Sequence, residues 1–95
     1  ESIFYILLAL RKPNHGYGII QEVQQLTENR IVMGAGTLYG AIQTLEQKGW
    51  ITMWSEEESS RKKKEYIITE AGKEAFRNES ARLKELVEHS KLMNE

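Results

Sequence analysis

Two short runs rich in aromatic and β-branched residues, Trp50–Ser55 (WITMWS) and Glu65–Thr69 (EYIIT), bracket nine residues, EEESSRKKK, that are too polar to pack. That pattern is a β-hairpin with a long charged loop. It constrains the chain more than any other feature, because nearly everything on either side of it carries helical spacing. The 95 residues therefore predict one small α+β, mainly helical body.

The first helix is expected over Ser2–Arg11, with Ile3, Phe4, Leu7 and Leu8 at helical spacing and Ile6 and Leu10 widening the stripe. A helix that apolar is buried on several sides, and in so small a domain a second chain is the expected cover. Pro13 ends it, since the residue before a proline disfavours helix. Pro13, Asn14, His15 and Gly16 read as a turn, with His15 a solvated member. A second helix, about Tyr17 to Thr27, turns Ile19, Ile20, Val23 and Leu26 inward; Glu28, Asn29 and Arg30 break it, and Ile31–Met33 read as a very short strand. Gly34, Ala35 and Gly36 lead into a third helix, about Thr37 to Lys48. Leu38, Ala41, Ile42 and Leu45 share one of its faces, and Gly36, Gly40, Gln43 and Gln47 the opposite one. Gly49 is placed to stop it with a left-handed residue. Trp50 and Trp54 are expected as core or sheet-face residues. The last helix runs from Glu70 to about Met93 with Thr69 as its N-cap. Phe76, Leu83 and Ser90 repeat every seventh residue, and Glu79, Leu86 and Met93 fill the half-heptad, a seam with polar interruptions.

Composition narrows the function classes. There is no cysteine, which excludes disulfides, thiolate metal sites and a cysteine nucleophile, and which suits a reducing cytosol; the expected location is cytoplasmic. His15 and His89 lie far apart without ligand spacing, so no metal and no cofactor is expected. The apolar run Ile3–Leu10 is too short to span a bilayer, and it lacks the basic flank and small-residue cleavage site of a signal peptide. The sequence opens at Glu1 directly in that run, so a few residues are expected upstream. Gly34–Gly36 (GAG) is a lone glycine turn without the lysine or acidic partner of nucleotide motifs, and no paired acid and base suggests an enzyme. The net charge is −1, but distribution matters more than the sum: of 13 basic residues, Arg61, Lys62, Lys63 and Lys64 are consecutive, while acids collect at Glu56–Glu58 and in the last third.

Two helices joined by a tight connection and followed by a basic hairpin are the parts of a winged helix-turn-helix. In that frame the third helix enters the major groove. Gly36 and Gly40 let its backbone come close, Thr37 and Tyr39 offer phosphate or thymine contacts, and Gln43 can pair bidentately with adenine. Arg61, Lys62, Lys63 and Lys64 sit where a wing meets phosphates. Tyr17 is a further phosphate contact, against the plainer reading of a packing residue.

HGYGIIQEVQQLT, VMGAGTLYGAIQTLEQKGWI and RKKKEYIITEAGKEAF together resemble the PadR family of bacterial transcriptional regulators, over about Ile3 to Phe76. GTLYGAIQTLEQKGWI and YIITEAGKE are the most specific of these elements. The resemblance implies a winged-helix DNA-binding domain over 1–69 and a C-terminal dimerisation helix over 70–95, as in the short subfamily with one such helix. It implies a repressor, dimeric through its first and last helices, on a pseudo-palindromic double-stranded operator, released by a small apolar effector. Phe4, Leu7, Leu8, Phe76, Leu83, Leu86, Val87 and Met93 are the expected interface residues. Some relatives stack flat drugs between tryptophans of the last helix; here that helix has none. The alternative, a winged-helix protein-interaction module without DNA binding, is disfavoured by the groove-facing polar residues and the basic wing.

Overall fold

The computed structural model describes residues 1–56 and 64–95; of Glu56 only the backbone is described. In chain order the elements are α1 (Ser2–Ala9), β1 (Asn14–His15), α2 (Gly16–Leu26), α3 (Ala35–Gln47), β2 (Ile51–Glu56), β3 (Lys64–Ile68) and α4 (Glu70–Ser90), followed by a 3₁₀ turn, Lys91–Asn94. The strands form an antiparallel sheet in the order β1-β3-β2. This is the mainly helical winged architecture that the sequence predicts.

The core lies where α1, α2 and α3 meet the sheet. Ile6, Leu7, Ala9 and Leu10 of the first helical run, Ile19 and Val23 of α2, Leu38, Ile42 and Leu45 of α3, and Ile51, Tyr66 and Ile68 of the hairpin are all buried. Leu7, expected at a subunit interface, is wholly consumed by this intrachain core. The breadth of the apolar stripe on α1 is thus mostly explained within one chain, because α2 covers one flank of the helix and the start of α4 another. Ile68 donates its backbone N–H to the Leu10 carbonyl at 2.8 Å, tying the end of α1 to β3.

Two local expectations are corrected. Ile31–Met33 is not a strand. Glu28 and Asn29 take left-handed φ values of 50° and 66°, and the Thr27 hydroxyl then accepts the Ile31 N–H at 3.0 Å, so the backbone donor a ladder would need is used locally. The third strand is instead Asn14–His15, expected as a turn, paired Asn14 to Tyr66 and His15 to Glu65. His15 is not a solvated turn residue either: it is half-buried, and its Nδ1 accepts the Gly18 N–H at 3.2 Å as the N-cap of α2. At the N-terminus, Arg30 of the α2–α3 connection pairs with Glu1 and stands 6.0 Å from the Tyr5 ring centroid. The guanidinium lowers the Glu1 carboxyl pKa, so whatever this pair contributes is present above the carboxylate range and is lost on acidification. Both groups face solvent, which keeps that contribution small.

α4 begins against the body and then leaves it. Thr69 caps it, accepting the Gly72 N–H at 3.1 Å, as predicted. Its own N–H reaches the Trp50 carbonyl at 2.9 Å, and its hydroxyl donates to the Gly49 carbonyl at 2.6 Å. Gly49 has φ +74°, the left-handed stop expected for α3. Phe76 packs edge-on to Phe4 at 6.4 Å, and Phe4 lies 6.3 Å from Trp50. Beyond Glu79 every residue of α4 is exposed. The molecule measures 61 × 28 × 19 Å with a radius of gyration of 15.3 Å, against about 12 Å for a compact chain of this length. Among the described residues no helix is long and apolar enough to cross a membrane.

Where α4 meets the body the close contact is at Gly72, where an added Cβ would stand 2.1 Å from the Trp50 carbonyl oxygen and 2.7 Å from Ile68 Cγ1. Both neighbours are fixed, one by the backbone and one by the core. Gly72→Ala is therefore expected to destabilise the fold by about 2 kcal/mol or more, as overpacking does. Thermal or urea denaturation checks this, and an unchanged midpoint would show that α4 can shift at no cost.

Candidate nucleic-acid interface

The outward face of α3 is built by subtraction. Leu38, Ile42 and Leu45 turn inward and are buried, which fixes the rotation of the helix. Gly36, Thr37, Tyr39, Gly40, Gln43 and Gln47 are left exposed, and none of the six carries a charge. A Cβ added at Gly36 or Gly40 would meet no atom within 4 Å, so the helix backbone lies open to solvent there. Thr44 turns its hydroxyl back to the Gly40 carbonyl at 3.1 Å and offers it less to the outside. A helix face with neutral donors and acceptors around two bare positions can lie close against another surface and hydrogen-bond to it.

Tyr39 and Gln43 both stand out from this face as predicted, Tyr39 with 54% of its surface exposed. Tyr17, in the first turn of α2, is 67% exposed, which removes the reading of it as a packing residue. The two tyrosines belong to one neighbourhood, because the Tyr39 hydroxyl reaches the start of α2 at Gly16. Lys64 opens β3 and is exposed. Arg61, Lys62 and Lys63, the rest of the predicted basic stretch, lie outside the described residues. Trp50 is half-buried under the Lys48 ammonium, 5.0 Å from its ring centroid, whereas Trp54 is 59% exposed where the register of β2 slips between Met53 and Ser55. Sequence reasoning placed Gly16 in a turn and missed its contact with Tyr39.

The expected interface residues divide. Phe4, Leu8 and Phe76 are half-buried at the α1–α4 junction, and Leu7 is interior. Leu83, Leu86, Val87 and Met93 are 49–87% exposed on the free part of α4 and the turn after it. Between α1 and α4 runs an open groove of about 390 Å³ lined mainly by Phe4, Tyr5, Leu8, Phe76, Ser80 and Leu83.

Helix-turn-helix and hairpin together define a winged helix-turn-helix fold. The family model of the transcriptional regulator PadR-like family matches residues 5–78, and the chain belongs to that family, one of transcriptional regulators and not of enzymes. A protein of Lysinibacillus sphaericus whose function is uncharacterized is 37% identical over 67 residues, 70% of this chain and 62% of that protein, so the chain spans less than two thirds of this relative. Among solved structures, a PadR family transcriptional regulator from Eggerthella lenta superposes with a TM-score of 0.81 at 24% identity, covering 98% of this chain and 80% of that one. PadR of Bacillus subtilis, solved in complex with operator DNA, gives 0.69 at 24% identity over 80% of this chain and 44% of that one. At these identities the two structures speak for the fold.

The open backbone at Gly40 makes a direct test of the face. Gly40→Ala adds a methyl that meets nothing and removes a flexible residue from a helix interior, so it is expected to stabilise the chain by about 0.5–1 kcal/mol. A fall in melting temperature would mean that the face is already covered.

Proposed function

We propose that the chain is a sequence-specific, homodimeric DNA-binding repressor. The observation that carries this reading is the α3 face, uncharged and bare at Gly36 and Gly40, with Tyr39 and Gln43 projecting beside the gap. Gly36 and Gly40 admit the helix deep into a major groove. Gln43 reads an adenine edge, and Thr37, Tyr39 and Tyr17 bond to phosphates. Lys64 and the basic residues before it supply the salt-dependent attraction that a neutral recognition helix cannot. The operator complex of the similarly folded Bacillus subtilis protein supports the reading.

The dimer is formed by α4. A helix that leaves its body and exposes Leu83, Leu86 and Val87, with Met93 exposed in the turn after it, calls for a cover, and the i, i+3, i+4 spacing of the helical three suits a second copy related by a two-fold axis. Such symmetry sets two α3 helices about 34 Å apart, one DNA turn, and matches a pseudo-palindromic operator. The α1–α4 groove borders this axis and is apolar enough to take a small apolar effector, which would release DNA by favouring a mismatched spacing.

Sequencing the duplexes retained by the protein from genomic fragments would identify the operator. On that operator Gln43→Ala is expected to lose about 1–3 kcal/mol of binding and to relax one base position. Retention of full affinity and selectivity would remove Gln43 from the readout. For the dimer, Leu83→Asp combined with Val87→Asp is expected to give monomers in sedimentation and a large loss of operator affinity, because each charge would be buried against its symmetry mate. A parent protein that sediments as a monomer at micromolar concentration while holding its operator tightly would overturn the dimer and the effector mechanism together.

A further inference from the structure

Gly16 opens α2 and is buried, yet its backbone makes no demand for glycine; among the described residues the glycine with a left-handed φ is Gly49. Space is the reason for Gly16. A Cβ there would stand 2.7 Å from the Tyr39 hydroxyl oxygen, 3.1 Å from Tyr39 Cζ and 3.5 Å from Leu38 Cδ2. Only the last is an ordinary contact. The tip of the Tyr39 ring thus rests in the volume that a side chain at 16 would fill.

The floor of this notch is fixed. Asn14 Oδ1 accepts the His15 N–H at 2.9 Å, His15 Nδ1 accepts the Gly18 N–H at 3.2 Å, and both residues are held in β1 by β3. A Cβ at Gly18 would fall 2.1 Å from Asn14 Oδ1, so the second glycine of the HGYG run clears room for the residue that braces the first. Tyr39 by contrast is 54% exposed, and burial alone does not select one orientation for its ring. An exposed side chain samples several rotamers, and ordering it on binding costs free energy. A notch that accepts the hydroxyl end removes part of that cost beforehand.

We propose that Gly16 is a positioning residue for DNA binding: the side chain it lacks leaves a notch at the start of α2 that seats the Tyr39 hydroxyl to donate to a DNA phosphate. The proposal rests on the reading of α3 as the DNA-contacting helix. The donor is neutral, and it sits where the partial positive charge of the α2 N-terminus also favours the anion. A methyl at position 16 evicts the ring tip, which is the far end of a flexible side chain and can swing into solvent. The cost therefore falls on binding and not on folding.

The test uses the intact chain and a mixed-sequence duplex of about three helical turns at low salt, read by fluorescence anisotropy, with melting temperatures measured alongside. Gly16→Ala and Tyr39→Phe are each expected to weaken binding by about tenfold, the scale of one hydrogen bond to a charged group. The double variant is expected to bind no more weakly than the poorer single one, since both remove the same contact. The salt dependence stays that of the parent because no cation is lost. Gly16→Ala should melt no earlier than the parent, and in a Tyr39→Ala background it should leave binding unchanged and not lower the melting temperature. Parent-like binding by Gly16→Ala, losses that multiply in the double variant, or a melting defect that persists without the Tyr39 ring would each overturn the proposal. Failure of the parent to bind any duplex would instead overturn the DNA reading beneath it.

Discussion

The first turn of α4 is pressed onto the carbonyl of Trp50, and the rest of the structure is arranged around that contact. Only a glycine at position 72 admits it. Thr69 closes the joint from the other side, with its N–H on the Trp50 carbonyl and its hydroxyl bridging the Gly49 carbonyl and the Gly72 N–H. Gly49 can present its carbonyl there because it has left the helical region, ending α3 with a residue that bears no Cβ penalty. One threonine thus terminates α3, starts α4 and anchors the first residues of the hairpin. The side chain of Trp50 is carried to the Phe4 ring, and Phe4 to Phe76, so α1 is registered against the same point.

This joint separates the exposed face of α3 from the free length of α4. The α3 face is set by the burial of Leu38, Ile42 and Leu45, while the free length of α4 is aimed by where its first turn is held. In the proposed dimer, the spacing of the two recognition helices would follow the angle at which α4 leaves Trp50. The groove between α1 and α4 opens beside the Phe4–Phe76 contact, where that angle is braced.

Much of this was legible in the sequence because chain punctuation is local chemistry. Pro13, Gly49 and Thr69 mark boundaries by what their backbones and side chains can do, and the observed helix ends fall within a few residues of those signals. The hairpin was legible for the same reason. What escaped was everything decided by a distant partner. Asn14–His15 has no alternation to betray it and becomes a strand only because Tyr66 and Glu65 lie opposite. Ile31–Met33 has the composition of a strand but loses a donor to Thr27. Leu7 and Leu83 look alike as apolar residues on helices, and only the packing shows one in the core and the other in the open. Of the candidate site, the exposed set on α3 was readable from periodicity, whereas the seat of the Tyr39 ring at Gly16 was not, because periodicity reports which way a residue faces and never what its tip touches.

The charge pattern assigns these surfaces different tasks. On α4 and the turn after it, Lys73–Glu70, Arg82–Glu79 and Lys91–Glu88 pair three residues apart, at 3.4, 2.7 and 3.1 Å. Such exposed pairs contribute little stability each. Their effect is to leave α4 nearly self-neutral, so that a symmetry mate meeting the Leu83–Val87 stripe would encounter no large field of like charge. The six residues named on the α3 face are uncharged, and Glu46 is exposed at its edge beside Tyr39. A recognition surface without charge cannot draw a polyanion to itself over long range. Long-range attraction must then come from basic residues off the helix, of which Lys64 is exposed at the start of β3. In the proposed reading, discrimination would fall to hydrogen bonds that form only when Gln43 meets the right edge.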